Sequence, residues 1–145
     1  MSSIHVLIIL ISILSSCSLH EKEAFDLQVG TYILDIEQTD FSSTPLNSHD
    51  YKNLTVQFKE DATFIFSQNA PFIWDSCGTW FIRNDMDGFN NCYMNFAKDP
   101  DDSVPFGFYP YDPNQSNSIM FNGFPSKTHE YYIQTIFFIK LDSLK

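Results

Sequence analysis

The sequence predicts an all-β protein, an antiparallel meander of about seven or eight strands that closes partly or wholly into a small barrel. Three observations carry that expectation. Apolar and polar residues alternate with a period of two through most of the chain, turn-forming residues separate the alternating runs, and no stretch of ten or more residues has the spacing of an amphipathic helix. The 145 residues suit one domain. With 43% hydrophobic and 17% aromatic residues the chain is too apolar for a disordered acidic segment, so a packed core is expected. Its 18 acidic against 8 basic side chains give a net charge of -10. That balance offers no basic stripe for phosphates, which excludes nucleic acid as a natural partner and disfavours an anionic lipid surface approached by charge alone.

At the N-terminus, residues 1–16 contain no Lys, Arg, Asp or Glu, and residues 6–14 (VLIILISIL) are apolar except for Ser12. This is short of the roughly 20 apolar residues that span a bilayer and suits the core of a signal peptide. The stretch ends Leu14-Ser15-Ser16-Cys17. Here the chain resembles bacterial lipoprotein precursors, whose motif places a large aliphatic and two small residues before the lipidated cysteine. The resemblance implies that residues 1–16 are removed and that Cys17 becomes the first residue, with palmitate-like acyl chains on its sulfur and amino group. A thiolate suits that attachment because it is a strong nucleophile, and each buried methylene adds about 0.8 kcal/mol to membrane binding. A plain secretory signal cut near the same serines is the alternative, with Cys17 then an ordinary cysteine. Ser18 in place of Asp points, by the same Gram-negative resemblance, to the outer membrane, on its periplasmic face or the cell surface. Residues 17–28 read as the lipidated tether and residues 29–145 as the folded domain.

The strands follow. Tyr32, Leu34 and Ile36 alternate with Thr31, Asp35 and Glu37, with Ile33 the one apolar residue on the polar side. Leu54, Val56 and Phe58 alternate with Thr55, Gln57 and Lys59. Phe58 and Phe64 share a face only if they pair across a three-residue loop centred on Asp61. Trp80 with Ile82, and Met94 with Phe96, lie on common faces. Asp87-Gly88 is a type I′ dipeptide that would pair Met86 with Phe89 and Arg83 with Cys92. The last segment puts Tyr131, Ile133, Phe137, Ile139 and Leu141 on one side and Tyr132, Ile136 and Phe138 on the other, so it is expected to be covered on both sides or to lie at an interface.

This chain resembles small bacterial lipoproteins with a lipocalin-like antiparallel barrel. The resemblance rests on Gly30-Thr31-Tyr32 opening the first strand, on residues 54–66 (LTVQFKEDATFIF), on Gly78-Thr79-Trp80 opening a later strand, and on the closing apolar strand. It implies a cup of strands with room for an apolar pocket. It implies no catalytic residues.

Candidate sites are few. In an oxidising compartment Cys77 and Cys92 are the candidates for a disulfide, worth about 3 kcal/mol, with two buried thiols as the alternative. The Asp87-Gly88 register places Lys98 opposite Cys77, roughly 20 Å from Cys92, so a bridge requires the chain before Cys77 to fold back or the turn to lie elsewhere. No metal is expected: Arg83 and Met94 occupy the first and closing ligand positions of the calcium-like loop around Asp85 and Asp87, Asp99, Asp101 and Asp102 read as a solvated acidic loop, and His20, His49 and His129 lack partners at ligand spacing. No cofactor motif and no nucleophile elbow occurs. Residues 104–113 (VPFGFYPYDP) interleave Phe106, Phe108, Tyr109 and Tyr111 with prolines, which argues against a central strand. These rings either cap the open end of the sheet from inside or face outward to take a sugar or an apolar ligand.

The functional expectation is a non-catalytic, lipid-anchored envelope module that binds a small apolar molecule, a glycan or a protein. A purely protein-binding inhibitor or assembly accessory, using the apolar face around Tyr132, Ile136 and Phe138, is the first alternative, and a hydrolase ranks third.

Overall fold

The computed structural model describes residues 25–73, 75–84, 90–109, 117–122 and 133–143. Eight strands follow one another around a closed antiparallel barrel: β1 (Gly30–Leu34), β2 (Thr55–Phe58), β3 (Thr63–Phe66), β4 (Cys77–Asn84), β5 (Asn90–Phe96), β6 (Asp99–Tyr109), β7 (Ser118–Asn122) and β8 (Thr135–Lys140). Each strand pairs with its neighbours in sequence, and β8 returns to pair with β1 through Ile33↔Ile139 and Leu34↔Phe138. Closure removes every exposed sheet edge.

The β2–β3 hairpin has the expected register, with Phe58 opposite Phe64. Its loop closes through Lys59 N–H to Thr63 O (2.9 Å) and Ala62 N–H to Lys59 O (3.1 Å), and Asp61 Oδ1 accepts from the backbone N–H and the hydroxyl of Thr63. Ala62 takes a positive φ of 63°, the left-handed residue that completes a three-residue hairpin loop.

The β4–β5 pairing differs from the expectation by one residue. Arg83 opposes Asn91 and Ile82 opposes Cys92, and the two strands are joined by residues 85–89, which lie outside the described residues together with the Met86–Phe89 pair. The reason is the pleat. Directly opposed residues share a face, and only the observed register sets Trp80 against Met94, Ile82 against Cys92 and Gly78 against Phe96, all inward. The slipped register would have set Trp80 against Asn95, so core pairing fixes the register.

Residues 104–109 of the segment expected to avoid a central strand lie in β6, and residues 110–113 lie outside the described residues. Pro105 pairs with Tyr93 of β5, but the last pair that β6 makes with β7 in that direction is Phe106↔Phe121. No β6–β7 pair includes the proline, which gives it edge-strand character on that side. Pro100 lies among the extra β6 residues between the pairs Phe96↔Asp99 and Asn95↔Ser103, where the register shifts.

An eight-stranded barrel is just wide enough for side chains to fill it, and here they are mostly rings. Phe58 stacks on Phe106 (5.1 Å, 15°) and meets Trp80 edge-on (5.2 Å); Phe64 meets Phe96 edge-on (5.4 Å), and Phe121 meets Phe138 likewise (5.7 Å). All seven of these rings are buried. The end formed by the 35–54 and 67–76 connections is covered by Phe41, Tyr51 and Phe72, packed ring on ring, with Ile73 and Ile133 buried beside them. At the other end a single helical turn, residues 25–28, lays Phe25 flat on Trp80 (4.0 Å, 7°). The last residues of the expected tether thus belong to the barrel's packing. Lys140 locks them there, donating to Leu27 O (2.9 Å) with its ammonium over the Tyr32 ring (5.6 Å). Tyr32 Oη lies 3.2 Å from the backbone and side-chain oxygens of Gln28 and donates to one of them.

Candidate functional site

The ring-filled interior leaves the outside of the barrel as the place to look for a site. Phe106 is 4% exposed and sits in the core between Phe58 and Phe121. Phe108 and Tyr109 are on the backbone of β6, opposite Ile119 and Ser118, with their side chains outside the description, and Tyr111 and Cys17 lie outside the described residues altogether.

Cys77 and Cys92 are both free thiols, so the expected bridge does not form. With Gly78 opposite Phe96, Cys77 falls level with Ala97, whose N–H donates to Cys77 O (3.0 Å), five positions along β5 from Cys92. That separates the two by roughly 17 Å. They also point to opposite sides of the sheet: Cys92 is in the core, where burial pushes its thiol up to about 12, and Cys77 is half-exposed on the outside. Among the described residues no group of three or more His, Cys, Asp or Glu could hold a metal ion.

Two faces of opposite character line the outside. The first crosses β7, β8 and β1. Inward Ile136 and Phe138 are buried, so the pair expected to form a partner-binding face is core, and the apolar outer residues of β8 are Phe137 and Ile139. The inversion has a local cause. Ile133 is buried three positions before Ile136, so a bend at Gln134 breaks the alternation and shifts Ile133 out of phase with Phe137. Outside, Ile139 opposes Ile33 and Phe137 opposes Met120, with Leu141 37% exposed just beyond. The odd Ile33 of the sequence pattern is thereby explained as part of this patch.

The second face covers β3 to β6, on the far side of the barrel from β8 and β1. One cross-strand row is Phe81–Tyr93–Pro105. Phe81 and Tyr93 stack at 5.3 Å and 16°, and the Arg83 guanidinium lies over both rings at 5.8 and 5.5 Å. The adjacent row is polar: Thr63, Thr79, Asn95 and Ser103 stand side by side on four successive strands, with the Ser103 hydroxyl donating to Asn95 Oδ1 (2.7 Å). Beyond it lie Ile65 and Cys77, opposite each other. A groove of about 390 Å³ runs along this polar row, lined by Lys59, Thr63, Ile65, Cys77, Thr79 and Asn95 among others.

Gly78 makes the close packing under the groove possible. A Cβ there would run into the backbone oxygen of Asn95 and come within 2.8 Å of the Phe64 ring. The described outward residues of β3, β4 and β5 include no Asp or Glu, although the chain carries 18. Of the acids that flank these strands, Asp61 holds Thr63, whose hydrogen bonds lower its pKa, and Asp75 pairs with Lys98 at 3.4 Å. Sequence alternation could have singled out Phe81 and Tyr93, since both fall between inward residues. Their pairing across the strands was not available without the register.

No protein-family model, curated protein or solved structure matches the chain.

Proposed function

We propose that this protein is a non-catalytic, lipid-anchored module of the bacterial outer membrane that binds a protein partner through the outer face of β7, β8 and β1. The observation that carries this reading is the double apolar character of β8. Its inward residues fill the barrel, while outward Phe137 and Ile139 join Ile33, Met120 and Leu141 in an apolar patch bordered by Asp35, whose N–H donates to Phe137 O (2.8 Å). A contiguous apolar patch on an otherwise strongly charged protein marks an interaction surface. A cup for a small apolar molecule has less support, because rings occupy the interior. Anchoring at Cys17 fits the fold: it lies eight positions before Phe25, a reach of at most about 28 Å, so the end closed by Phe25 would face the membrane.

Native mass spectrometry of the full-length protein, extracted in detergent from its own membrane, tests the reading. The expected spectrum has acyl chains on Cys17 and a protein partner in fixed stoichiometry, and the Phe137→Ser/Ile139→Ser variant loses that partner while keeping its fold. A retained small apolar molecule with no protein partner would overturn it.

A further inference from the structure

We propose that the end of the barrel covered by residues 25–28 is a peptide-binding site, closed by the chain's own N-terminal turn, and that an aromatic segment of another protein binds there by replacing the turn. The site lies at one end of the barrel and does not depend on the partner assigned to the outer face of β7, β8 and β1.

The two ends of the barrel are closed in different ways. At one, the covering rings Phe41, Tyr51 and Phe72 belong to connections between strands. At the other, the cover is a single helical turn that precedes the first strand. One turn is too short to be stable as a helix by itself, so its contacts with the barrel hold it in place. Phe25 lies on Trp80, Lys140 Nζ donates to Leu27 O, and Tyr32 Oη donates to an oxygen of Gln28. The join to β1 is a pivot. Gly30 holds φ at 150°, which other residues rarely adopt, and a Cβ there would come within 2.7 Å of Lys140 Cε.

The barrel's side of these contacts is built independently of the turn. Trp80 Nε1 donates to Lys59 O (3.2 Å) and the Phe58 ring meets the indole edge-on, so the aromatic face is fixed before anything stacks on it. Beside it stand two donors from the sheet, the Tyr32 hydroxyl and the Lys140 ammonium, the latter over the Tyr32 ring. The turn answers with a ring and with oxygens of two adjacent residues, Leu27 and Gln28. A flat ring followed by neighbouring carbonyls is what any peptide with an aromatic side chain can supply. Departure of the turn with no replacement would take acceptors from a buried hydroxyl and a half-buried ammonium, which is costly, so release is coupled to the arrival of a substitute. Charge selects against an acidic ligand. Asp142 already acts on Lys140, and Glu60 and Asp61 sit in the β2–β3 loop at this same end, so neutral carbonyls are the fitting acceptors.

Fluorescence anisotropy with the full-length protein in detergent micelles, read against empty micelles, tests the site. The probe is a dye-labelled peptide, acetyl-Phe-Asp-Leu-Gln-Val, with the sequence of residues 25–29. Phe25→Ala empties the slot on Trp80 and should bind the probe saturably, about tenfold more tightly than the parent protein, in which the turn competes. A probe with Ala in place of Phe should bind about tenfold more weakly, and Lys140→Met added to Phe25→Ala should weaken binding about fivefold. Amide hydrogen exchange of the parent protein needs no variant: at millimolar probe, residues 25–29 should exchange faster while β1 stays protected. The proposal is overturned by no saturable binding to folded Phe25→Ala at millimolar probe, by equal binding to parent and variant, or by unchanged exchange of residues 25–29. Binding of N-acetylphenylalanine amide as tight as that of the probe would reassign the site to small aromatic molecules. Adding Phe137→Ser/Ile139→Ser to Phe25→Ala should leave probe binding unchanged, and its loss would show that the probe attaches to the β8 face instead.

Discussion

The two faces on opposite sides of this barrel are built from the same pleat but to different ends. Across β7, β8 and β1 the middle of the outward face is aliphatic or Phe, packed as neighbouring cross-strand pairs, Ile33 with Ile139 and Met120 with Phe137. Across β3 to β6 an aromatic row and a hydroxyl row run side by side, with cations at the margins and a groove beneath. The interior is the same on both sides, a continuous packing of rings. Stability therefore comes mostly from inward positions, and the outward positions are left to differ with little cost to folding.

Breaking the interior gives the largest expected effect. Phe138→Ala on β8 removes a buried ring and should cost about 3–5 kcal/mol, whereas its neighbour Phe137→Ser, half-exposed outside, should cost under about 1 kcal/mol. Chemical denaturation of the two variants compares them directly, and similar losses would contradict the inward and outward assignment of β8. Next is Gly78→Ala, where the added methyl meets backbone and the Phe64 ring: a loss of about 3 kcal/mol is expected. The control is Gly107→Ala on β6, where a Cβ meets nothing within 4 Å, and its thermal midpoint should move by no more than a few degrees, upward if at all.

Alkaline pH separates the two cysteines. Cys92 keeps its proton in the folded barrel up to about 12 against an ordinary value of 9.0, so above pH 9 the unfolded chain ionises first and the folded state loses stability until about pH 12. Burial raises the Tyr32 hydroxyl too and steepens the same decline at its upper end. Urea midpoints measured across that window should fall less steeply for Cys92→Val than for the parent protein. Thiol labelling of the folded protein should modify Cys77 and spare Cys92; protection of both without reductant would revive the disulfide. The smallest stability effect belongs to the second face: Phe81→Ala and Tyr93→Ala each remove half of a half-exposed cross-strand pair and should cost about 0.5–1 kcal/mol in thermal melts. A much larger loss would show the rings to be structural.

Much of the fold was legible in the chain because period-two alternation is a local signal. It predicted the inward sets Tyr32/Leu34, Val56/Phe58, Trp80/Ile82 and Met94/Phe96 and the Phe58↔Phe64 hairpin, all of which are present. Where two local signals disagreed, locality was no longer enough. A two-residue Asp87-Gly88 turn and the inward pairing of Trp80 with Met94 imply registers one residue apart, and the pairing that buries Met94 and leaves Asn95 outside is the one adopted, because burying an amide is costly. Prolines argued against a central strand at residues 104–113, but whether a missing N–H matters depends on how far pairing with the neighbouring strand extends, which no local pattern encodes. The sites were less legible than the fold. The aromatic cluster that drew attention in the sequence contributes Phe106 to the core, while Phe81 and Tyr93, separated by eleven intervening residues, become a shelf only across a strand pair.

The sequence by itself determined that this is an all-β meander with a core rich in aromatic rings, because spacing and composition are readable along the chain. The tertiary structure decided that the barrel closes, that Cys77 and Cys92 face opposite ways, which side of β8 is inside, and that residues from four strands align into one polar row. Those outcomes depend on register and closure. Both are set by how the inward side chains of all eight strands fill one shared volume, a condition imposed on the whole chain at once.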